Sequence, residues 1–204
     1  MNTPPQDERK PGAALAVAEL KRNLRLTITR RLRELSPERK AADSSAARAL
    51  LQKQVVWRRA RSVLFFASLA EELDVWPLLA EALAEGKRVA LPCFTPDTNE
   101  YTACEIKRLE EDIRIGQFGI REPQPWCVPL KSIELDLVLV PGLAFDLQGR
   151  RLGRGKGYFD RLLTAVRGAM CGVAFEEQIE REVPTEPHDV LLNCILTPTR
   201  WIET

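Results

Sequence analysis

Short apolar runs that alternate with helix-like segments leave this chain few folds to choose from. Ser62–Ser68 (SVLFFAS), Lys87–Leu91 (KRVAL), Leu135–Pro141 (LDLVLVP), Cys171–Phe175 and Cys194–Thr197 (CILT) are all strand-sized. LDLVLVP is the clearest of them, with the near-continuous apolar character of a strand buried on both faces. Between the first two runs lies DVWPLLAEALAEG, which reads as a helix capped by Asp74, with Pro77 in its first turn and Gly86 at its stop. Strand, helix and strand in that order require a right-handed parallel crossover. The expected fold is therefore α/β, a three-layer sandwich with a mostly parallel open sheet flanked by helices.

Towards the N-terminus, Leu15, Leu20, Leu24, Ile28, Leu32 and Leu35 recur at helical spacing and predict an amphipathic helix over 13–35. Ser36 followed by Pro37 reads as an N-cap and first helical position, opening a second helix that runs to about Arg59. Strand Lys87–Leu91 is expected to end at Pro92. Residues 93–130 read as polar turns with a strand pair of undecided direction, and Tyr158–Val166 has helix composition. Residues 1–12 are expected to be a flexible terminus, and 13–204 a single domain.

Of the 204 residues, 45% are hydrophobic and 29% charged, values of a chain able to bury a full core. No apolar run approaches the roughly 18 residues of a membrane span. The start, MNTPPQDERKPG, has charge and proline where a signal peptide is apolar, so a soluble cytoplasmic protein is expected. Five scattered cysteines (Cys93, Cys104, Cys127, Cys171, Cys194) form no CxxC pair and read as reduced, small apolar residues. His188 is the only histidine, so chemistry must rest mainly on carboxylates, Lys, Arg or backbone amides. Charge is uneven: residues 1–61 hold 15 basic and 6 acidic side chains, a net +9, against a net −8 for the remainder. Such an excess suits nucleic acid, a polyanionic small molecule, or a helix face packed on an acidic body.

The most informative segment runs from Arg150 to Asp160, RRLGRGKGYFD. Glycines at 153, 155 and 157 bare one stretch of backbone, so that its N–H groups can approach an anion. The predicted helix behind it adds unpaired amides and the positive end of a dipole. Arg151, Arg154 and Lys156 bring formal charge to the same loop. It is not a Walker A loop, because Arg150 and Gly157 stand where that motif needs Gly and Ser or Thr, nor a dinucleotide fingerprint, whose third glycine would fall at Tyr158. Asp160, just inside the helix, either complements its dipole or, beside a bound polyphosphate, holds Mg²⁺.

Pro141–Leu163 (PGLAFDLQGRRLGRGKGYFDRLL) resembles the signature of the 5-formyltetrahydrofolate cyclo-ligase family, also called 5,10-methenyltetrahydrofolate synthetases. Further stretches extend the likeness over nearly the whole chain: Lys21–Arg25, Ser68–Leu79, Gly86–Pro92, Gly119–Pro123 and Ala174–Pro198. The resemblance implies closure of 5-formyltetrahydrofolate, with or without a polyglutamate tail, to 5,10-methenyltetrahydrofolate, with ATP consumed in the presence of Mg²⁺ and ADP and phosphate released. It implies that Lys21 and Arg25 contact ATP phosphates, and that Arg151, Leu152, Gly153, Arg154, Gly155, Lys156, Gly157, Tyr158 and Phe159 wrap the triphosphate. Arg154 and Lys156 would be catalytic; Ala67, Glu72, Arg154 and Tyr158 would meet the folate; Asp160 and Asp189 would hold the metal. A monomer with neither nucleic acid nor membrane as partner is expected.

Three positions depart from the family pattern. Phe159 stands where many members have a second tyrosine, Val75 replaces a common threonine, and Asn193 occupies a place often held by Asp, one charge fewer near the metal side. Two other readings are carried: a phosphosugar enzyme on the same scaffold, and a basic nucleic-acid module over residues 1–61. Trp57 is the sole aromatic residue of that segment, so a stacking series is lacking.

Overall fold

In the computed structural model, which describes residues 11–95, 100–116, 119–155, 157–186 and 189–204, the N-terminal third forms three helices. α1 spans Pro11–Glu34 and α2 spans Pro37–Gln52. Ser36 caps α2 as expected, its hydroxyl accepting the Arg39 N–H at 3.2 Å. The second helix does not reach Arg59, however. It closes at Lys53, the chain turns at Gln54, and a separate α3 follows at Val55–Arg59. The break has a packing cause: six residues apart, Leu51 and Trp57 would lie on different sides of one helix. With the turn, both are buried in one core, Trp57 edge-on to Phe65.

β1 (Ser62–Leu64) leads to α4 (Pro77–Ala84) and β2 (Arg88–Thr95). Asp74 is not the N-cap of α4; that position is Trp76, and Asp74 accepts the Trp76 N–H at 3.0 Å in a turn ahead of the helix. Gly86 does end α4, with φ of +76°. β3 (Glu100–Ile106), β4 (Ile113–Ile115), β5 (Arg121–Pro123), β6 (Pro129–Leu130) and β7 (Leu137–Val140) follow. Then come β8 (Ala144–Asp146), β9 (Arg151–Leu152), α5 (Tyr158–Leu163), β10 (Ala169–Val173), β11 (Ile179–Glu180), β12 (Cys194–Leu196) and β13 (Trp201–Glu203).

The main sheet has the order β13-β12-β10-β7-β1-β2-β3-β6. β12, β10, β7, β1 and β2 run parallel; β13 pairs antiparallel with β12 at one edge, and at the other β3 runs antiparallel to β2 and to the edge strand β6. Contrary to expectation, β2 runs through Pro92 and pairs with β3 as far as Thr95. The Ala90 carbonyl accepts from Phe65 on the β1 side. Two residues on, Pro92 turns its missing N–H to that same side, where β1 has already ended, so no ladder bond is lost.

Strand alternation sorts side chains into two cores. Val63, Phe65, Leu137, Leu139, Cys171 and Val173 pack with Leu51, Trp57 and Leu78 from the α1–α4 side. Leu64, Val138, Val140 and Ile195 pack with Leu162, Leu163 and Val166 on the other. The chain is thus three-layered, as expected. Neighbouring β1 and β7 send their following helices to opposite faces, α4 to one and α5 to the other. Their exit loops therefore part and leave a crevice at the C-terminal strand ends, the position where open α/β sheets bind ligands. At the opposite ends the same pair is clamped: Asp136 accepts the N–H groups of Arg61 and Ser62, and the Ser62 hydroxyl accepts the Asp136 N–H at 2.9 Å.

All five cysteines are free. Burial, with Cys93 nearby, pushes the Cys104 thiol up to about 11, which leaves it a protonated apolar filler. No helix among the described residues is long and apolar enough to cross a membrane.

Glu176 ties the turn after β10 to the C-terminal hairpin. Burial works against its charge, but hydrogen bonds from Arg200, Thr197 and Thr199 outweigh it and lower the carboxyl to about 2. A depressed folded-state value stabilises the fold above the ordinary glutamate range and loses that contribution as pH falls towards 2. Melting temperature is expected to drop between about pH 4.5 and pH 2, and Glu176→Gln to flatten that part of the profile, read by thermal denaturation at stepped pH.

Candidate functional site

The crevice is a cleft of about 260 Å³. Phe66 and Ala67 enter it from the end of β1, Pro141 and Gly142 from the end of β7, and Pro92 from β2. Its polar wall comes from farther along the chain: Glu72, Arg121, Glu122, Arg151, Arg154 and Asp160. Cations and carboxylates are thus evenly matched on its surface, with Phe159 and Ile120 adding apolar area.

β8 and β9 form a small antiparallel hairpin whose second strand delivers the glycine loop to the cleft. Gly155 has φ of +99° and Gly157 of +66°, a region a side chain enters only at a cost of about 1–2 kcal/mol. Among the described residues, none accepts a hydrogen bond from the amides of Gly153, Arg154, Gly155 or Gly157. This is the bared backbone expected of an anion cradle. Its helical support is smaller than expected, because α5 stops at Leu163 and has only 6 residues. An anion placed here would meet loop amides and cations more than a helix dipole.

Four arginines and lysines meet this loop or its surroundings. Arg25 donates to the Gly153 carbonyl at 3.0 Å, and its guanidinium lies alongside Gly155. Arg154 reaches across to Glu72, donating from Nη2 to Oε1 at 3.0 Å, while the other Glu72 oxygen accepts the Leu69 N–H. Arg151 is buried; it donates to Asp160 at 2.6 Å and to the Pro141 carbonyl at 3.0 Å, with Nε left without an acceptor. Lys21 is buried as well. It bridges Asp189 at 2.7 Å and Glu186 at 2.8 Å. Burial works against its charge, but the two carboxylates prevail and raise its pKa.

The structure therefore gathers Ala67, Glu72, Gly153, Arg154, Gly157, Phe159 and Asp160 on one cleft, with Arg25 and Gly155 at its edge. Leu152 is placed differently from the rest of the loop. Its side chain is buried in the core, so it can offer a ligand backbone only. Tyr158 opens α5. Lys156 and His188 lie outside the described residues. Asn193 serves the sheet: its Oδ1 accepts the Met170 N–H at 2.8 Å, splicing β12 to β10. Asp160 and Asp189 are each engaged by a buried cation, but differently. Asp160 uses only Oδ1 on Arg151, and no described residue donates to its Oδ2. Asp189 uses Oδ2 for both Lys21 and the Glu186 N–H.

Reading the residues alone assigned no role to Pro92, Tyr101, Arg121 or Glu122, which also line the cleft. Gly119–Pro123 carried part of the family likeness, and that was the available signal.

The model of the 5-formyltetrahydrofolate cyclo-ligase family matches residues 17–198. A 5-formyltetrahydrofolate cyclo-ligase of Mycolicibacterium smegmatis is 36% identical over 150 residues, 70% of this chain and 76% of that protein. That of Escherichia coli strain K12 is 30% identical over 181 residues, covering 85% and 97% respectively. Among solved structures, Aquifex aeolicus 5,10-methenyltetrahydrofolate synthetase superposes with a TM-score of 0.81 at 30% identity, over 90% of this chain and 92% of that one.

Proposed function

Because the chain belongs to the 5-formyltetrahydrofolate cyclo-ligase family, we propose that it closes 5-formyltetrahydrofolate to 5,10-methenyltetrahydrofolate in the cytoplasm, converting ATP to ADP and phosphate. The observation that carries this reading is Arg154, which belongs to the glycine loop and binds Glu72 in the cleft. One side chain thereby joins an anion cradle to a carboxylate suited to a heterocycle edge.

The chemistry needs that junction. The N5-formyl group is an amide, with a poorly electrophilic carbon and no usable leaving group. Attack of its oxygen on the γ-phosphorus expels ADP and leaves an iminium phosphate. N10 then adds to the activated carbon, loses its proton, and phosphate departs as the ring closes. Transfer of this kind asks the protein for alignment and charge neutralisation. The amides of 153–157 and the guanidinium groups of Arg25 and Arg154 supply both, with Lys156 a further loop cation. Tyr158 and Phe159 follow them against the nucleotide and the folate. Glu72 accepts from pterin N–H groups, and Ala67 forms the wall beside them.

The residues present also fit Mg²⁺, which takes one or two carboxylates together with phosphate oxygens and water. Asp160, with an oxygen free of any described donor, would hold it. Asp189 would be the second carboxylate, its Oδ2 already shared with Lys21. When bound, the ion neutralises part of the triphosphate charge.

Mixing the protein with 5-formyltetrahydrofolate, ATP and Mg²⁺ is expected to raise methenyl-folate absorbance, with loss of signal on chelation or omission of ATP. Folded protein that gives no signal overturns the reading. Retention on nucleic acid without turnover would instead support a binding module.

A further inference from the structure

A buried polar atom without a partner calls for an explanation, since most such groups in folded proteins are satisfied. Glu122, a residue lining the cleft, carries one. It is 3% exposed, yet its Oε1 meets no hydrogen-bond donor. The other two carboxylates lining the cleft are engaged, Glu72 by Arg154 and the Leu69 N–H, Asp160 by Arg151. Among the described cleft residues, Glu122 is thus the carboxyl group with no hydrogen bond of its own.

Its position is built for it. β5 carries Glu122 opposite Arg114 of β4. The chain leaves β4 at Gly116, where an added Cβ would fall 2.1 Å from the Glu122 carboxyl carbon. The turn therefore has room for this carboxyl only because residue 116 lacks a side chain. Burial raises the Glu122 pKa, and Arg114 opposes that shift without reversing it. A carboxyl group accepts hydrogen bonds when ionised and can also donate one when protonated.

We infer that Glu122 is a substrate-facing residue, a second carboxyl group that completes its hydrogen bonding on the folate when that substrate enters the cleft. This assignment rests on the cyclo-ligase reading. Unlike Glu72, which the free protein already engages, Glu122 waits for the ligand. A donor–acceptor substrate group such as a ring lactam or N–H is the chemistry that satisfies it. A purely apolar ligand would leave the carboxyl group orphaned.

The test compares wild type with Glu122→Met and Glu122→Gln, using calorimetric binding of 5-formyltetrahydrofolate without ATP, steady-state KM values for both substrates, and melting temperature. Methionine is expected to weaken folate binding and raise its KM about tenfold, the worth of one buried hydrogen bond, with KM for ATP unchanged. Melting temperature should hold or rise, since no described partner is lost. Glutamine, neutral and still able to donate and accept, should stay within about threefold of wild type. Equal folate binding by wild type and the Met variant overturns the assignment. So does a Met variant that unfolds, or that shifts both KM values alike, because Glu122 would then serve the fold. Wild type that binds no folate at all fails the cyclo-ligase reading itself, a result separate from either.

Discussion

Arg154→Ala is expected to lower kcat/KM for 5-formyltetrahydrofolate by about 10²- to 10³-fold, the usual loss on removing one preorganised donor from a site of developing charge. The same change should hardly move the melting temperature. The Arg154 side chain is 42% exposed against 8% for Glu72, and Glu72 keeps the Leu69 N–H when the arginine is removed, so this half-solvated pair should be worth about 1 kcal/mol. The two readouts must therefore separate. Arg154→Lys sharpens the test: it keeps charge but loses the planar fork that donates to Glu72 from both Nε and Nη2, so activity should fall between wild type and alanine. A large loss of stability with activity intact would mean that Arg154 is structural and that the loop does not act on substrate.

Lys21→Met should have the opposite signature, with stability lost first. Lys21 is 9% exposed at the side chain and Asp189 13%, against 41% for Glu186. Removing the cation takes the charge partner from the buried Asp189 carboxylate, which keeps the Glu186 N–H, and from Glu186, which water can still reach. About 3 kcal/mol is expected, the low end for a broken buried pair, or roughly 6–12 °C in melting temperature for a chain of this size. Adding Asp189→Asn to Lys21→Met should recover part of that, because the stranded charge is gone. Lys21 has a raised pKa, so its contribution is fully present below the ordinary lysine value and is lost only as pH rises beyond it. The deficit should accordingly be level from about pH 6 to pH 9, as measured by denaturant titration. Turnover should fall too, since Lys21 fixes Asp189 and shares a helix face with Arg25.

What could be read before folding follows the range of each interaction. The cap at Ser36, the stop at Gly86 and the order of the parallel strands follow from neighbours a few residues away and stand where local reasoning puts them, although strand ends shift. The break between α2 and α3 is decided by where Leu51 and Trp57 must both point, which depends on a core not yet assembled. Pro92 looked like an end because proline breaks ladders in general; it is harmless here because β1 stops first, a fact about another strand. Lys21 is buried on a partner 168 positions away, which no local spacing reveals. Glu122 gave no local signal, since lacking a partner is a property of the fold.

The seam between β1 and β7 joins residues such as Ser62 and Asp136, 74 positions apart. The cleft opens directly above that seam, with walls drawn from both halves of the chain, so no fragment carries half a working pocket. Occupancy must then register everywhere at once. Ligands that bind only the finished cleft should protect amides at the far ends of β1 and β7 from exchange as strongly as those at its rim.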